Sequence, residues 1–485
     1  MIRSLMKTLL ALLVVVIAVV VVRTMSFVPA EKEEVKLVDH TLDLQSISQH
    51  MAEAIRYKTI SFGEGLDTPR EPFEGFIGWL AETYPQVHDK LSMERLGDYS
   101  LLYKWQGSSS GKKPIMLTGH YDVVPVPQAT RDQWEHAPFS GDIDNTHVWG
   151  RGALDDKSAV IAMMEAVTLL LEQSFTPQRD IYIAFGHDEE VGGDEGAARI
   201  VDYFKQKNIQ LAWTLDEGSF VLDGIVPGLD EPMASINLSE KGYLTIEIIA
   251  KSNGGHASMP PENIAIYSLV DALTDLHNSP FQTYLDSGPS AKMYAEVALH
   301  LPFVKRMLFA NKWMFGSLLK SVLVKSPAGA AMLRTTIAPT MLRAGIKENV
   351  LAPEAIATIN LRIHPQDDVD DVVAQLRQVV ERDGVSVKVL RKVAASPVSS
   401  DTSEGFLSLV DATKASYGSI IIAPGLTIAA TDSKHYQEVA DDSYRFNPMM
   451  VDSQGLTTFH GVNERISIEN LQKATGFYMT LIGDQ

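Results

Sequence analysis

Histidine and carboxylate side chains recur at the ends of short apolar segments, and these residue types suit metal binding and proton transfer. The segment PIMLTGHYDVVP puts His120 and Asp122 two residues apart at the end of an apolar run. Alternate residues of a strand face the same side, so both side chains can reach one site. Asp122 is then placed to accept the second imidazole N–H of a metal-bound His120. The alternative is a strand-end histidine beside a turn aspartate.

A pair of aspartates follows in the segment WGRGALDDKSAV. Asp155 and Asp156 precede an apolar stretch that runs to about Gln173 and is typical of a helix. Either aspartate could simply cap the helix N-terminus. Gly150 and Gly152 just before them indicate a close approach of the backbone instead.

Two more apolar segments end in acidic residues. DIYIAFGHDEE ends in Asp188, Glu189 and Glu190, and LAWTLDEG contains Asp216 and Glu217. Singly, each carboxylate could be a solvated loop charge, but open α/β sheets bind their ligands at the carboxyl ends of strands. Together with the histidine, these groups offer oxygen and nitrogen ligands for two borderline metal ions.

The segments that carry these residues alternate short strands with helical stretches, as in PIMLTG, AVIAMMEAVTLLLEQ and DIYIAFG. This alternation predicts an α/β fold. Near Ser235 the pattern changes to SINLSEKGYLTIEIIAKS, a two-faced strand suited to an antiparallel sheet, and after about Ala395 short strands and loops return. We therefore predict a catalytic domain in two parts, 38–235 and 396–485, interrupted by an inserted domain at 236–395.

Composition excludes several classes of protein. The 485 residues are 45% hydrophobic, which argues against disorder, and 61 Asp and Glu against 42 Lys and Arg give a net charge of −19. Such a charge repels a phosphate backbone, so nucleic acid is excluded as a partner. Because there is no cysteine, a metal site must use histidine and carboxylate.

The N-terminus contains an uncharged run, TLLALLVVVIAVVVV, at residues 8–22. Arg3 and Lys7 precede it and Arg23 closes it. Its length falls between a signal-peptide core and a membrane span. We predict that residues 1–28 are a retained signal anchor, with the catalytic body outside the cytoplasm in a periplasmic, lumenal or extracellular space. The alternative is a cleaved signal peptide and a secreted protein.

Four further segments accompany the strand-end residues: GGHASMPP, KENVLAPEAIATINLRIHP, ATDSKHY and FHGVNERI. In these residues and segments, the chain resembles the co-catalytic dizinc metallopeptidases. This family includes aminoacylase, acetylornithine deacetylase and succinyl-diaminopimelate desuccinylase. The resemblance runs from about residue 45 to the C-terminus, and GHDEE, LDEG and HGVNERIS are most similar to the carboxypeptidase S and N-fatty-acyl-amino-acid synthase/hydrolase branch. It implies a zinc-binding α/β domain interrupted by a ferredoxin-like lid, with a possible homodimer through that lid.

The resemblance also implies an activity and its metal ligands. The activity is zinc-dependent hydrolysis of the amide bond of a peptide or N-acyl amino acid with a free carboxylate, using two zinc ions per chain. The implied ligands are His120 and Asp216 for one zinc, Glu190 and His460 for the other, and Asp155 as the bridge. Asp216 is preferred to Glu217 by motif alignment alone.

Five further roles are implied in the same way. Asp122 would orient the zinc-bound His120, and Glu189 would be the general base. In the lid, His256 would face the developing oxyanion, while Asn349 and Arg362 would hold the substrate carboxylate. Alternatively, His256 could be a polar histidine in a turn, and Arg362 could be an ordinary exposed arginine of a strand.

Two questions remain open in the sequence: whether the protein is an enzyme at all, and what the apolar segment 302–325 does. A catalytically silent, membrane-anchored metal-binding receptor or scaffold could keep the same fold, although it would not need Glu189 and a full metal set. The apolar segment 302–325 contains interspersed lysines. It could be a core helix of the lid, an entrance for a long acyl chain, or a surface that leans on the membrane.

Overall fold

The computed structural model describes residues 1–30, 35–63, 68–109 and 111–485. The chain forms two compact units. The larger unit comprises Pro29–Leu238, Ser399–Gly425 and Thr431–Gln485, and the smaller unit comprises Met1–Val28, Ser239–Val398 and Leu426–Ala430.

The larger unit is built around a mixed β-sheet. The strands that lie wholly or mostly in the larger unit, numbered in chain order through the whole protein, are β1 (Ser92–Leu96), β2 (Ser100–Trp105), β3 (Ile115–His120), β4 (Asp142–Ile143), β5 (His147–Trp149), β6 (Ile181–Gly186), β7 (Leu211–Asp216), β8 (Val221–Leu222), β9 (Met233–Glu240), β16 (Ile421–Thr427), β17 (Ala440–Arg445), β18 (Met450–Val451) and β19 (Arg465–Ser467). Among the described residues, ten of them form one sheet in the order β1-β2-β6-β3-β7-β17-β9-β8-β18, with β16 beside β9. Strand β3 is parallel to β6 and β7, and β17 is parallel to β7.

Helices cover both faces of this sheet. They are α2 (Leu44–Arg56), α3 (Arg70–Thr83), α4 (Pro85–Lys90), α5 (Lys157–Glu172), α6 (Ala197–Lys207), α13 (Glu404–Tyr417), α14 (Ser433–Tyr436), α15 (Ser453–Leu456) and α16 (Ile468–Gly483). On β6, Ile181 and Ile183 belong to the core that contains α2, α5 and α16, whereas Tyr182 and Ala184 belong to the core that contains α6. Burial on both faces explains why β3 and β6 are nearly continuous apolar runs.

The strands of the smaller unit are β10 (Gly242–Lys251), β11 (Gly255–His256), β12 (Thr336–Ala344), β13 (Val350–Leu351), β14 (Glu354–Ile363) and β15 (Val385–Val393). Four of them form an antiparallel sheet in the order β12-β14-β10-β15. The helices of this unit are α1 (Ile2–Ser26), α7 (Ala265–Asn278), α8 (Pro289–His300), α9 (Phe303–Ala310), α10 (Lys312–Leu323), α11 (Pro327–Leu333) and α12 (Val369–Val380). Alternate residues of β10, from Leu244 to Ala250, share a core with α7 and α12. The antiparallel sheet packed against these two helices is a two-layer α+β arrangement.

Helix α1 is long and apolar enough to cross a membrane, judged by length and composition alone. A signal sequence that is later removed has the same properties. Most of its side chains are exposed, but Val20 and Thr24 in its last two turns are buried.

Candidate metal centre

The predicted site residues of the larger unit gather at one edge of its sheet. His120 is the last residue of β3 and is paired in register with Gly186, the last residue of β6, three positions before Glu189. Asp216 is the last residue of β7, the other parallel neighbour of β3. Because parallel strands present their carboxyl ends at the same edge, residues far apart in sequence become neighbours there.

Asp155 lies between two imidazoles. Its Oδ1 atom is 3.0 Å from Nε2 of His120, and its Oδ2 atom is 3.0 Å from Nε2 of His460. His460 Nε2 is also 3.1 Å from Oε2 of Glu190. One carboxylate oxygen therefore faces each histidine, which is the arrangement a bridging metal ligand requires.

Glu217 extends this cluster on the His120 side. Its Oε1 atom is 3.8 Å from His120 Nε2, and ligand atoms of His120, Glu189 and Glu217 all lie within 4.8 Å of one another. Asp216 is held differently, since its Oδ1 atom accepts the backbone N–H of Glu217 at 2.9 Å. Its buried Oδ2 atom has no hydrogen-bond partner in the described part of the chain.

Asp122 connects the His120 imidazole to the strand end that carries both glutamates. Its Oδ1 atom is 3.3 Å from His120 Nδ1 and accepts the backbone N–H of Glu189 at 3.2 Å. Its Oδ2 atom accepts the Ser61 hydroxyl at 2.6 Å and the backbone N–H of Glu190 at 3.2 Å. Burial acts to raise the pKa of Asp122, but the hydrogen bond from His120 and its other partners outweigh burial and hold the pKa below its usual value. The low pKa keeps Asp122 ionised beside the imidazole.

The cluster has more negative charge than its own histidines can balance. Burial raises the pKa of Glu189 and of Glu217 well above the ordinary value, and neighbouring carboxylates raise it further. Within the described residues, the buried Oε1 of Glu190 and Oδ2 of Asp156 have no hydrogen-bond partner. Buried carboxylate oxygens without partners are costly unless a cation binds them. The donor set, imidazole and carboxylate without thiolate, therefore fits divalent metal ions.

Residues 116–484 match the model of the protein family described as "Peptidase family M20/M25/M40". The chain belongs to this family. It is 39% identical to "Probable carboxypeptidase S-like 2" of Dictyostelium discoideum over 97% of this chain and 92% of that protein. It is 36% identical to the N-fatty-acyl-amino acid synthase/hydrolase PM20D1 of Mus musculus over 90% of this chain and 87% of that protein.

Solved structures of M20 proteins share its fold. The M20 family metallo-carboxypeptidase Sso-CP2 from Sulfolobus solfataricus has a TM-score of 0.63 at 19% identity, covering 91% of this chain and 99% of its own. The Bacillus subtilis YXEP protein, described as a dinuclear metal-binding peptidase from M20 family, has a TM-score of 0.56 at 12% identity, covering 91% and 98%. The predicted family, fold and enzyme class are confirmed: the chain is an M20 hydrolase with a candidate metal site.

Two buried residues that the sequence analysis assigned no role connect the loops around the candidate metal site. The Oε1 atom of Glu464 accepts the backbone N–H groups of Leu154 and Asp155 at 2.9 and 3.2 Å. Its other oxygen accepts a hydrogen bond from Arg151, whose second Nη donates to the carbonyl of Gly461 at 3.0 Å. This pair ties the loop of the predicted bridge to the loop after His460. Both residues lie in segments that the sequence analysis quoted, but only the fold brings them together.

The three predicted substrate-binding residues of this M20 chain lie in the smaller unit. His256 is exposed and pairs with Val350 across the short β11–β13 ladder. Its Nδ1 atom accepts the backbone N–H of Ser258 at 3.1 Å, so a neutral imidazole carries its proton on Nε2. Asn349 is exposed, and its backbone carbonyl accepts the N–H of Ala257 at 3.2 Å. Arg362 on β14 is partly buried, with its guanidinium 4.9 Å from the centre of the Tyr243 ring.

Proposed function

We propose that this chain is a dizinc hydrolase of peptides or N-acyl amino acids, cleaving the amide bond to an amino acid whose carboxylate is free. The observation that carries the proposal is Asp155, which directs one oxygen to each of two imidazoles beside a partly buried Glu189. The names of the relatives, carboxypeptidase S-like and N-fatty-acyl-amino acid synthase/hydrolase, support this class of substrate.

For the metals, we propose Asp155 as the bridge, with Glu190 and His460 on one zinc ion and His120 on the other. The second carboxylate beside His120 is either Asp216, which the resemblance implies, or Glu217. The 3.8 Å separation from His120 favours Glu217. When bound, two zinc ions would polarise the scissile carbonyl and lower the pKa of the attacking water.

Glu189 is the proposed general base. Burial raises its pKa, which brings a carboxylate closer to the range where it both accepts and returns a proton near neutral pH. Its backbone N–H is bound by Asp122, so the side chain starts from a fixed position at the strand end. Glu189 would take the proton of the attacking water and pass it to the leaving amine.

In the smaller unit, His256 is proposed to stabilise the developing oxyanion. Its Nε2–H is available as a donor because Nδ1 already accepts the Ser258 N–H. Arg362 and Asn349 are proposed to bind the substrate carboxylate, for which a guanidinium offers two parallel N–H groups. A homodimer through this unit remains a prediction.

We also propose that α1 is retained as a signal anchor and that the catalytic body lies outside the cytoplasm. Support comes from the length and apolar composition of α1 and from the burial of Val20 and Thr24. The alternative is a secreted protein after signal cleavage. A catalytically silent receptor is a weaker interpretation, because Glu189 and all the proposed ligands are present in the chain.

A substrate screen tests the activity. Full-length protein loaded with zinc is assayed against dipeptides and N-acyl amino acids of increasing acyl length, with Glu189→Gln as the inactive control. We expect amide hydrolysis that a chelator removes and zinc restores, and weaker turnover when the substrate carboxylate is amidated. Hydrolysis that survives both chelation and Glu189→Gln would contradict the proposal.

A further inference from the structure

Helix α10 exposes a continuous apolar stripe. Met314, Leu318 and Val322 follow one another at intervals of four residues and are 40%, 51% and 51% exposed, and Trp313 beside them is 58% exposed. We call these four residues the α10 face. Leu319, on the other side of the helix, packs with Leu285 and Leu333 in a buried cluster. One side of α10 therefore belongs to the core of the smaller unit while the other side faces outward.

The segment around the α10 face is basic in an acidic protein. Residues 301–334 contain six Lys and Arg and no Asp or Glu, whereas the whole chain has a net charge of −19. Lys312 and Lys320 are partly offset by Asp286, which lies 3.0 and 3.5 Å from their Nζ atoms. Lys305 and Lys325, one before and one after α10, are exposed. A basic surface next to exposed apolar side chains is complementary to an anionic lipid surface.

The end of α1 is attached to the same pair of helices. Asn311, fully buried at the junction of α9 and α10, donates from Nδ2 to the Val20 carbonyl and to Thr24 Oγ1, both at 3.2 Å. Arg23 donates from Nε to the Ala310 carbonyl at 3.2 Å. Buried polar contacts of this kind are specific in geometry, so the last two turns of α1 hold the junction at a fixed place.

We propose that the α10 face lies on the anionic phospholipid surface of the membrane into which α1 is inserted. The end of a membrane-spanning helix lies at the level of the lipid headgroups, and Asn311 holds Trp313, two residues further on, at that level. Tryptophan is enriched at this interface, and lysine side chains can extend from it to the headgroups. The proposal rests on the retention of α1. Of the three alternatives that the sequence left open for residues 302–325, it chooses the membrane-facing surface.

Quenching of tryptophan fluorescence by brominated lipid tests the proposal. Full-length protein is reconstituted into phosphatidylcholine–phosphatidylglycerol vesicles with brominated or ordinary acyl chains. Trp313 is one of six tryptophans, and the other five lie in the larger unit, each at least partly buried. Trp313→Phe is the matched variant, and its unchanged hydrolytic activity shows that it folds.

We expect brominated lipid to remove up to about one sixth of the wild-type emission, corresponding to one of six tryptophans, and to leave the Trp313→Phe emission nearly unchanged. Quenching should weaken in vesicles of phosphatidylcholine alone. Equal quenching of wild type and variant would overturn the proposal, as would a Trp313 emission that is shielded by a second copy of the chain and insensitive to lipid.

Vesicle flotation separates this proposal from the retention of α1. Protein that fails to float with the vesicles shows that α1 is not an anchor, and the foundation of the proposal is then lost. Protein that floats but shows no Trp313 quenching keeps the anchor and overturns only the placement of the α10 face.

Discussion

The candidate metal centre of the larger unit and the proposed substrate-binding residues of the smaller unit are built in opposite ways. His120 and Asp122 are fully or almost fully buried, and Asp122 alone contacts an imidazole, a hydroxyl and two backbone N–H groups. His256 is exposed on the two-residue β11–β13 ladder, and Asn349 is exposed just before β13. Groups whose mutual geometry decides the chemistry are therefore fixed at a sheet edge, while two of the three groups proposed to meet a variable substrate are exposed and the third, Arg362 on β14, is partly buried.

Removal of the bridge should have the largest effect, since it acts on the fixed side of this comparison. Asp155→Ala should lose both metal ions or nearly so, because its two oxygens serve both halves of the site. His460→Ala is the matched control and should weaken mainly one ion. Metal analysis of the purified variants checks this, and two tightly bound zinc ions in Asp155→Ala would show that the bridge is misassigned.

The adjacent acidic pair at the end of β7 gives a smaller effect that sharpens the account of the metal centre. Glu217→Gln should weaken the ion on the His120 side, because Glu217 Oε1 faces that imidazole at 3.8 Å. Asp216→Asn should bind that ion more tightly than Glu217→Gln does, because Asp216 Oδ1 already accepts a backbone N–H. Zinc titration of both variants measures these two affinities. The reverse order would show that Asp216 is the ligand.

The smaller unit should give the smallest effect and no change in metal content. Arg362→Met should raise KM about tenfold or more with a modest change in kcat, since a lost carboxylate contact of about 1.4 kcal/mol corresponds to tenfold. Arg391→Met is the matched control, because Arg391 is 5.4 Å from the centre of the same Tyr243 ring but is exposed. Similar KM values for both variants would remove Arg362 from the proposed carboxylate site.

The sequence could single out His120, Glu190 and Asp216 as candidates because each stands at or near the end of an apolar run, whereas His460 was implied only by resemblance to the family. It could not predict Ser61, Arg151 or Glu464, because a single serine or a charged pair separated by 313 residues has no periodic or local signal. It also could not choose between Asp216 and Glu217. Neighbouring residues at a strand end point in different directions, and the last strand residue is not fixed by composition.

For the segment 302–325, too, the sequence alone left the structure undecided. Its apolar periodicity indicated either a buried helix or an exposed apolar surface. The structure shows both on one helix, since Leu319 is buried while Leu318 is half exposed. A short amphipathic pattern does not reveal how many of its faces are covered, because Leu285 and Leu333, two buried residues that pack with Leu319, lie outside the segment.

In the proposed mechanism, one of two adjacent carboxylates moves a proton while the other binds metal. Zinc content measured together with kcat for Glu189→Gln and Glu190→Gln tests this division of roles most directly. Glu189→Gln should keep both zinc ions while kcat falls by roughly 10²-fold or more, the usual scale for the loss of general acid–base catalysis. Glu190→Gln should lose zinc affinity, because a neutral amide is a poorer ligand than the carboxylate that faces His460 at 3.1 Å. A metal-depleted Glu189→Gln beside a metal-replete Glu190→Gln would contradict the account and exchange the two roles.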